Sequence, residues 1–112
     1  MKIKAVVFGN VALPATEGQK NDWNWFSDRK IALYALTGSA LPTDAPIQEV
    51  ADQEALKHVL EENNISPRQV LFVHGSDEKG LFARQKSFHT IFPCALDRIA
   101  RAINQIEYTV NS

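Results

Sequence analysis

The residue types that hold anions and move protons collect in three short turns, each placed directly after an apolar run. These are Phe8-Gly9-Asn10-Val11, Leu36-Thr37-Gly38-Ser39 and Val73-His74-Gly75-Ser76-Asp77. Backbone N–H groups opening a helix, together with hydroxyl, amide and imidazole donors, are what a phosphate or a carboxylate needs. Asn10, Thr37, Gly38, His74, Gly75 and Ser76 therefore form a candidate ligand-binding set. His74 reads either as an imidazole donor beside a bound anion or as a ring that packs and hydrogen-bonds locally. Ser76, His74 and Asp77 are too close on one tight turn to reach triad geometry. His58, His74 and His89 offer no (i, i+4) pair on a helix and no cysteine joins them, so no metal ligands are assigned. Cys94, the single cysteine, opens the final helix behind Pro93. It reads as a thiol activated by a helix N-terminus or as a small buried hydrophobe.

A different kind of chemistry, that of surface recognition, is suggested by Asn21-Asp22-Trp23-Asn24-Trp25-Phe26. Three aromatics in four residues cannot all face one buried side of a helix. Trp23, Trp25 and Phe26 are accordingly candidates for an exposed interface, or else for a cover over the sheet.

The elements that must position these residues follow from hydrophobic periodicity. Ile3–Phe8, Ile31–Leu36, Val70–Val73 and His89–Phe92 read as strands, and three of the four are almost wholly apolar, as in a parallel sheet covered on both faces. Helical spacing marks about Glu17–Arg29, Ala51–Glu62, Asp77–Lys86 and Ala95–Glu107. The last carries a stripe of Leu96, Ile99, Ile103 and Ile106, placed to pack on the sheet. Between Thr37 and Val50, Pro42 and Pro46 leave no room for a full crossover helix, and a short edge strand over Pro46–Val50 takes its place. The expected fold is one α/β domain over residues 1–112, a three-layer sandwich on a small parallel sheet of four or five strands with Ile3–Phe8 at its centre.

Composition narrows the function classes. Twelve Lys+Arg against thirteen Asp+Glu give a net charge of −1, so no global field draws the chain to nucleic acid or to anionic lipid. No apolar run approaches membrane-spanning length, the N-terminal residues lack a signal-peptide core, and a lone cysteine excludes an internal disulfide. A reducing cytoplasm is the expected location.

The segment Asn64 to Leu81, with its Ser66-Pro67 turn and the strand that ends in Val73-His74-Gly75-Ser76-Asp77, resembles the fourth-motif region of haloacid dehalogenase-like (HAD) hydrolases. Lys4–Phe8 resembles the strand into that family's first motif, Leu33–Ser39 its second, and Asp52-Gln53-Glu54 the segment around its third. The resemblance implies a Rossmannoid core, here without a cap domain, and Mg²⁺-dependent phosphoryl transfer by an Asp nucleophile. It also places Gly9 at the nucleophile position, Val11 at the second acid, Val50 at the lysine, and Gly75 and Gly80 at the fourth-motif acids. Of the matching positions only Thr37, the second-motif hydroxyl, is kept, and no Asp or Glu precedes Glu17 to restore the first motif by a shift of register. Such chemistry needs a concentration of charge that these positions lack. No catalytic residue and no cofactor is therefore assigned. The expected function is that of a non-catalytic HAD-like domain working through protein–protein contact or as a homo-oligomer. The alternatives are a binding module for a small anion or phosphorylated ligand at the strand ends, and a phosphohydrolase with displaced acids drawn from Asp77 and Glu78, with Lys79 nearby.

Overall fold

Apolar runs too short for helices and rich in β-branched and aromatic residues become strands, and here five of them align in one direction. The computed structural model describes residues 2–9, 19–39, 47–94 and 96–111. Its strands are β1 (Ala5–Gly9), β2 (Ala32–Leu36), β3 (Gln48–Val50), β4 (Val70–His74) and β5 (His89–Ile91). They form one parallel sheet in the order β3-β2-β1-β4-β5. Every residue of β1 and β4 is buried, which is the reason these runs are apolar without alternation. The short strand expected near Pro46 is present as β3, and β1 is central as expected.

Side-chain alternation divides the core into two layers. Val6, Phe8, Leu33, Ala35, Leu71 and Val73 face α1 (Gln19–Asp28) and α4 (Leu96–Asn111), where Trp23, Phe26, Leu96, Ile99 and Ile103 meet them. Ala5, Val7, Tyr34, Leu36, Val50, Val70 and Phe72 face α2 (Gln53–Glu62) and α3 (Asp77–Gln85), where Leu56, Leu60 and Ala83 meet them. The three-layer α/β sandwich is thereby present. Each fully buried Val, Leu, Ile or Phe side chain contributes about 1.5–3 kcal/mol relative to exposure.

Local chemistry sets the helix ends. Asp52 caps α2, its carboxylate accepting a hydrogen bond from the Ala55 N–H at 2.8 Å. Beyond the other end Asn64 takes a left-handed φ of 57°, and the Ile65 N–H returns to the Leu60 carbonyl at 2.9 Å. Pro67 then opens a single 3₁₀ turn, held where the Ser66 N–H donates to Gln69 Oε1 at 3.0 Å, and the chain enters β4. Helix α4 continues past the expected Glu107 to Asn111, because Tyr108-Thr109-Val110 supplies neither Gly nor Pro to stop it. Glu107 also ties that helix to the start of the sheet, accepting from the Ile3 N–H at 3.1 Å. β5 is shorter than expected and ends at Ile91, leaving Phe92 outside the strand.

The chain winds outward from β1 to β2 and β3, then returns to lay β4 on the other flank of β1. That reversal falls between β1 and β4. In open parallel sheets such a switch point leaves a crevice at the carboxyl ends of the strands.

Candidate functional site at the strand ends

The carboxyl ends of β1, β2 and β4 lie level, with Phe8 opposite both Ala35 and Val73 and Gly9 opposite His74. This brings Gly9, the Thr37–Ser39 turn and the His74–Ser76 turn to one end of the sheet. Asn10, the remaining member of the candidate set, and Val11 lie outside the described residues.

Gly9 is the position that the HAD resemblance assigns to a nucleophilic carboxylate, and the space beside it is taken. A Cβ at this residue would lie 2.6 Å from the ring of Phe72 and 3.3 Å from the Val73 carbonyl oxygen. Phe72 cannot swing aside cheaply. It is fully buried and touches Phe82 and Phe88 at ring distances of 5.8 and 6.0 Å. Gly75, at a fourth-motif acid position, differs in kind, since an added Cβ would meet only Pro93 at an ordinary 3.5 Å. Val50, at the lysine position, is a core residue whose carbonyl accepts from the Thr37 N–H at 3.0 Å.

The polar side chains turn to protein partners. Thr37 Oγ1 stands 3.2 Å from both Glu49 Oε1 and the Val50 carbonyl, so its hydroxyl is drawn toward β3. Gly38 makes the turn with φ at 102°, a value open to glycine at little cost. Ser39 follows, and its Oγ donates to the Phe8 carbonyl at 3.3 Å. His74 is buried, between the rings of Phe72 at 6.2 Å and Phe92 at 5.6 Å. Its Nδ1 lies 3.1 Å from the Ser76 carbonyl. A carbonyl only accepts, so Nδ1 carries a proton and directs it to the Ser76 carbonyl. Of the two readings of His74, local packing is the one this geometry favours. Gly75 and Ser76 are exposed at the entrance to α3. The described candidate residues thus share one end of the sheet, and there the Thr37 hydroxyl and the His74 ring are directed to different backbone carbonyls.

Mg²⁺, which the HAD resemblance implies, does not fit these residues. Gly9 and Gly75 carry no carboxylate, and the room for one at Gly9 is filled by Phe72. Among the described residues no three His, Cys, Asp or Glu side chains are gathered as a metal site. Ser39 and Phe72 are the two contributors that the sequence did not single out. Phe72 carries no local signal, because its place beside Gly9 follows from the pairing of β1 with β4.

The aromatic cluster of α1 requires a correction. Trp23 and Phe26 are core residues, 3% and 1% exposed; Trp23 packs edge-on to Phe8 at 6.4 Å and tilted against Phe26 at 6.1 Å. They cover the sheet and cannot offer an interface, because α1 turns them toward β1. Trp25 alone is partly exposed, with the Arg29 guanidinium 3.9 Å from the centre of its ring. Cys94 is half-buried against the α1/α4 layer. Burial pushes its thiol pKa up, more than Arg98 lowers it, with Asp97 adding to the rise. A raised pKa is the opposite of activation.

No helix among the described residues is long and apolar enough to cross a membrane. No protein-family model matches the chain, and comparison with curated proteins and with solved structures returns no match.

Proposed function

We propose that this chain is a degenerate HAD-like domain that works by self-association and not by phosphoryl transfer. The observation that carries the reading is the open side of β5. Phe92 directly after the strand and Tyr108 on α4 are 73% and 78% exposed, among the largest apolar exposures of the described residues. They flank one continuous surface, in which Ile91, Ala102 and Gln105 border the hollow beside Tyr108 and also the hollow beside Phe92. A second copy suits this surface. A two-fold axis through β5 pairs the strand with itself, antiparallel, and closes the assembly as a dimer whose two remaining rims are both β3. The same axis reverses α4, so that Arg98 and Arg101 near its start in one copy approach the Tyr108 end of the other. A guanidinium over that exposed ring would then repeat what Arg29 does with Trp25.

The alternatives lack such support. Anion binding at the strand ends is weakened by the directions of Thr37 Oγ1 and the His74 ring, and phosphoryl transfer by the ring of Phe72 at Gly9. Sedimentation equilibrium across a wide concentration range tests the proposal. The expected result is a dimer mass for the wild type and a monomer mass for Tyr108→Glu. A wild-type monomer at every concentration overturns it, as does a dimer that Tyr108→Glu leaves intact.

A further inference from the structure

A second concavity lies at the opposite end of the sheet, between α2 and α3. Leu56 and Leu60 of α2, Phe82 of α3, and Ile65 and Phe88 of the adjoining turns supply its apolar walls. Its volume is about 160 Å³. A space of roughly 150 Å³ takes up a benzene-sized guest, so one six-membered ring or a short branched chain is the size of occupant that fits. Phe82 and Phe88 stand at 76° to each other with centroids 6.0 Å apart, and Phe72 stacks on Phe88 at 16°. The two walls they form are thus braced by the core and keep their shape.

The rim adds a charge preference. Lys57 on α2 and Lys86 in the turn after α3 border the opening, with Glu61 as the single acid of the lining. At (i, i+4) Lys57 and Glu61 are spaced to pair, yet among the described residues neither forms a salt bridge. Both ammonium groups are exposed and remain available to a ligand whose apolar part enters the cleft. Apolar walls that end in two cations match a molecule with one ring or branched chain and one carboxylate.

We propose that the α2–α3 cleft binds a small apolar carboxylate, the ring or branched chain seated among Leu56, Leu60, Phe82 and Phe88 and the carboxylate held at Lys57 and Lys86. The cleft is independent of the β5 surface, so either assignment can fail without the other.

Titration with benzoate, followed by ¹H–¹⁵N correlation spectra of the full chain, tests this. The expected result is saturable shifts confined to α2, α3 and the Ile65 and Phe88 turns. Benzyl alcohol, which keeps the ring and loses the charge, should bind roughly fivefold more weakly, about what an exposed ion pair supplies. The double variant Lys57→Ala/Lys86→Ala, which alters exposed side chains only, should lower benzoate affinity to that of the alcohol. No saturable shift with benzoate, shifts that map elsewhere, or equal affinity for benzoate and benzyl alcohol each overturn the proposal. So does a double variant that binds benzoate as the wild type does.

Discussion

At the scale of single residues, the contact between Gly9 and Phe72 separates a missing side chain from a forbidden one. A methyl group added at residue 9 would sit 2.6 Å from the ring, so Gly9→Ala must displace Phe72 or the strand. We expect a loss of about 1–3 kcal/mol, typical of overpacking in a closed core, read as a lower urea midpoint. Combined with Phe72→Leu, which vacates the space, the two losses should sum to less than their parts by at least about 0.5 kcal/mol. Strict additivity would mean that the two groups do not oppose each other. This part of the site was poorly legible in the sequence. The glycines stood out as small residues at strand ends, but the occupant of the space beside Gly9 depends on the pairing of β1 with β4, a register set by the whole sheet. Thr37 was found for its hydroxyl, while its direction toward Val50 depends on β3 lying next to β2. Titration adds a second expectation. Burial raises the pKa of the Cys94 thiol above its ordinary 9.0 and of the Tyr34 phenol above its ordinary 10.0. As pH rises past these ordinary values the unfolded chain releases protons that the native state retains, so stability falls. Urea midpoints should therefore be flat up to about pH 8 and decline above pH 9, with Cys94→Ala removing the earlier part of the decline.

At the scale of elements, most of the fold was readable because the signals are local. Val70–Val73 and Ile31–Leu36 are apolar without alternation, and only a strand covered on both faces asks for that. The stripe of α4 likewise announced its burial, with Leu96, Ile99 and Ile103 each at 1% exposure or less. The aromatic run of α1 was ambiguous for a physical reason. Trp23 and Phe26, three apart, share a face, whereas Trp25 lies off it, and spacing alone does not say which of the two faces meets the sheet. Helix α2 was legible in its extent and in its Ser66-Pro67 stop, but its expected start at Ala51 moves to Gln53, because Asp52 caps the helix instead of entering it. The Asp52 cap therefore gives a prediction for one element. Asp52→Ala should cost about 0.5–2 kcal/mol by leaving the Ala55 N–H without its acceptor. Asp52→Ser should recover most of this in thermal unfolding. A loss that serine fails to recover would point to the aspartate charge and not to the hydrogen bond.

At the scale of the molecule, a five-stranded parallel sheet with helices on both faces still has two rims, β3 and β5, each paired on one side only among the described residues. They are not equivalent. On β3 the exposed residues are Gln48 and Glu49, and a carboxylate beside its own two-fold copy would repel the pairing. β5 carries Thr90 as its exposed residue, has no carboxylate or ammonium side chain, and is bordered by Phe92 and Tyr108. Charge therefore guards one rim and leaves the other open, which is the pattern of a sheet that extends in one direction and then stops. The consequence can be measured by placing the same charge on either rim. Thr90→Lys puts an ammonium at the centre of the proposed two-fold and should convert the dimer to a monomer, while its thermal midpoint, extrapolated to low protein concentration, stays near that of the wild type. Gln48→Lys changes a strand residue that is likewise exposed, on the opposite rim, and should leave the dimer mass unaltered. Added salt should restore part of the association of Thr90→Lys by screening the paired ammonium groups over a Debye length of about 10 Å at 0.1 M. Should Gln48→Lys dissociate the assembly and Thr90→Lys spare it, the contact would belong to β3, and the exposed aromatics beside β5 would require another role.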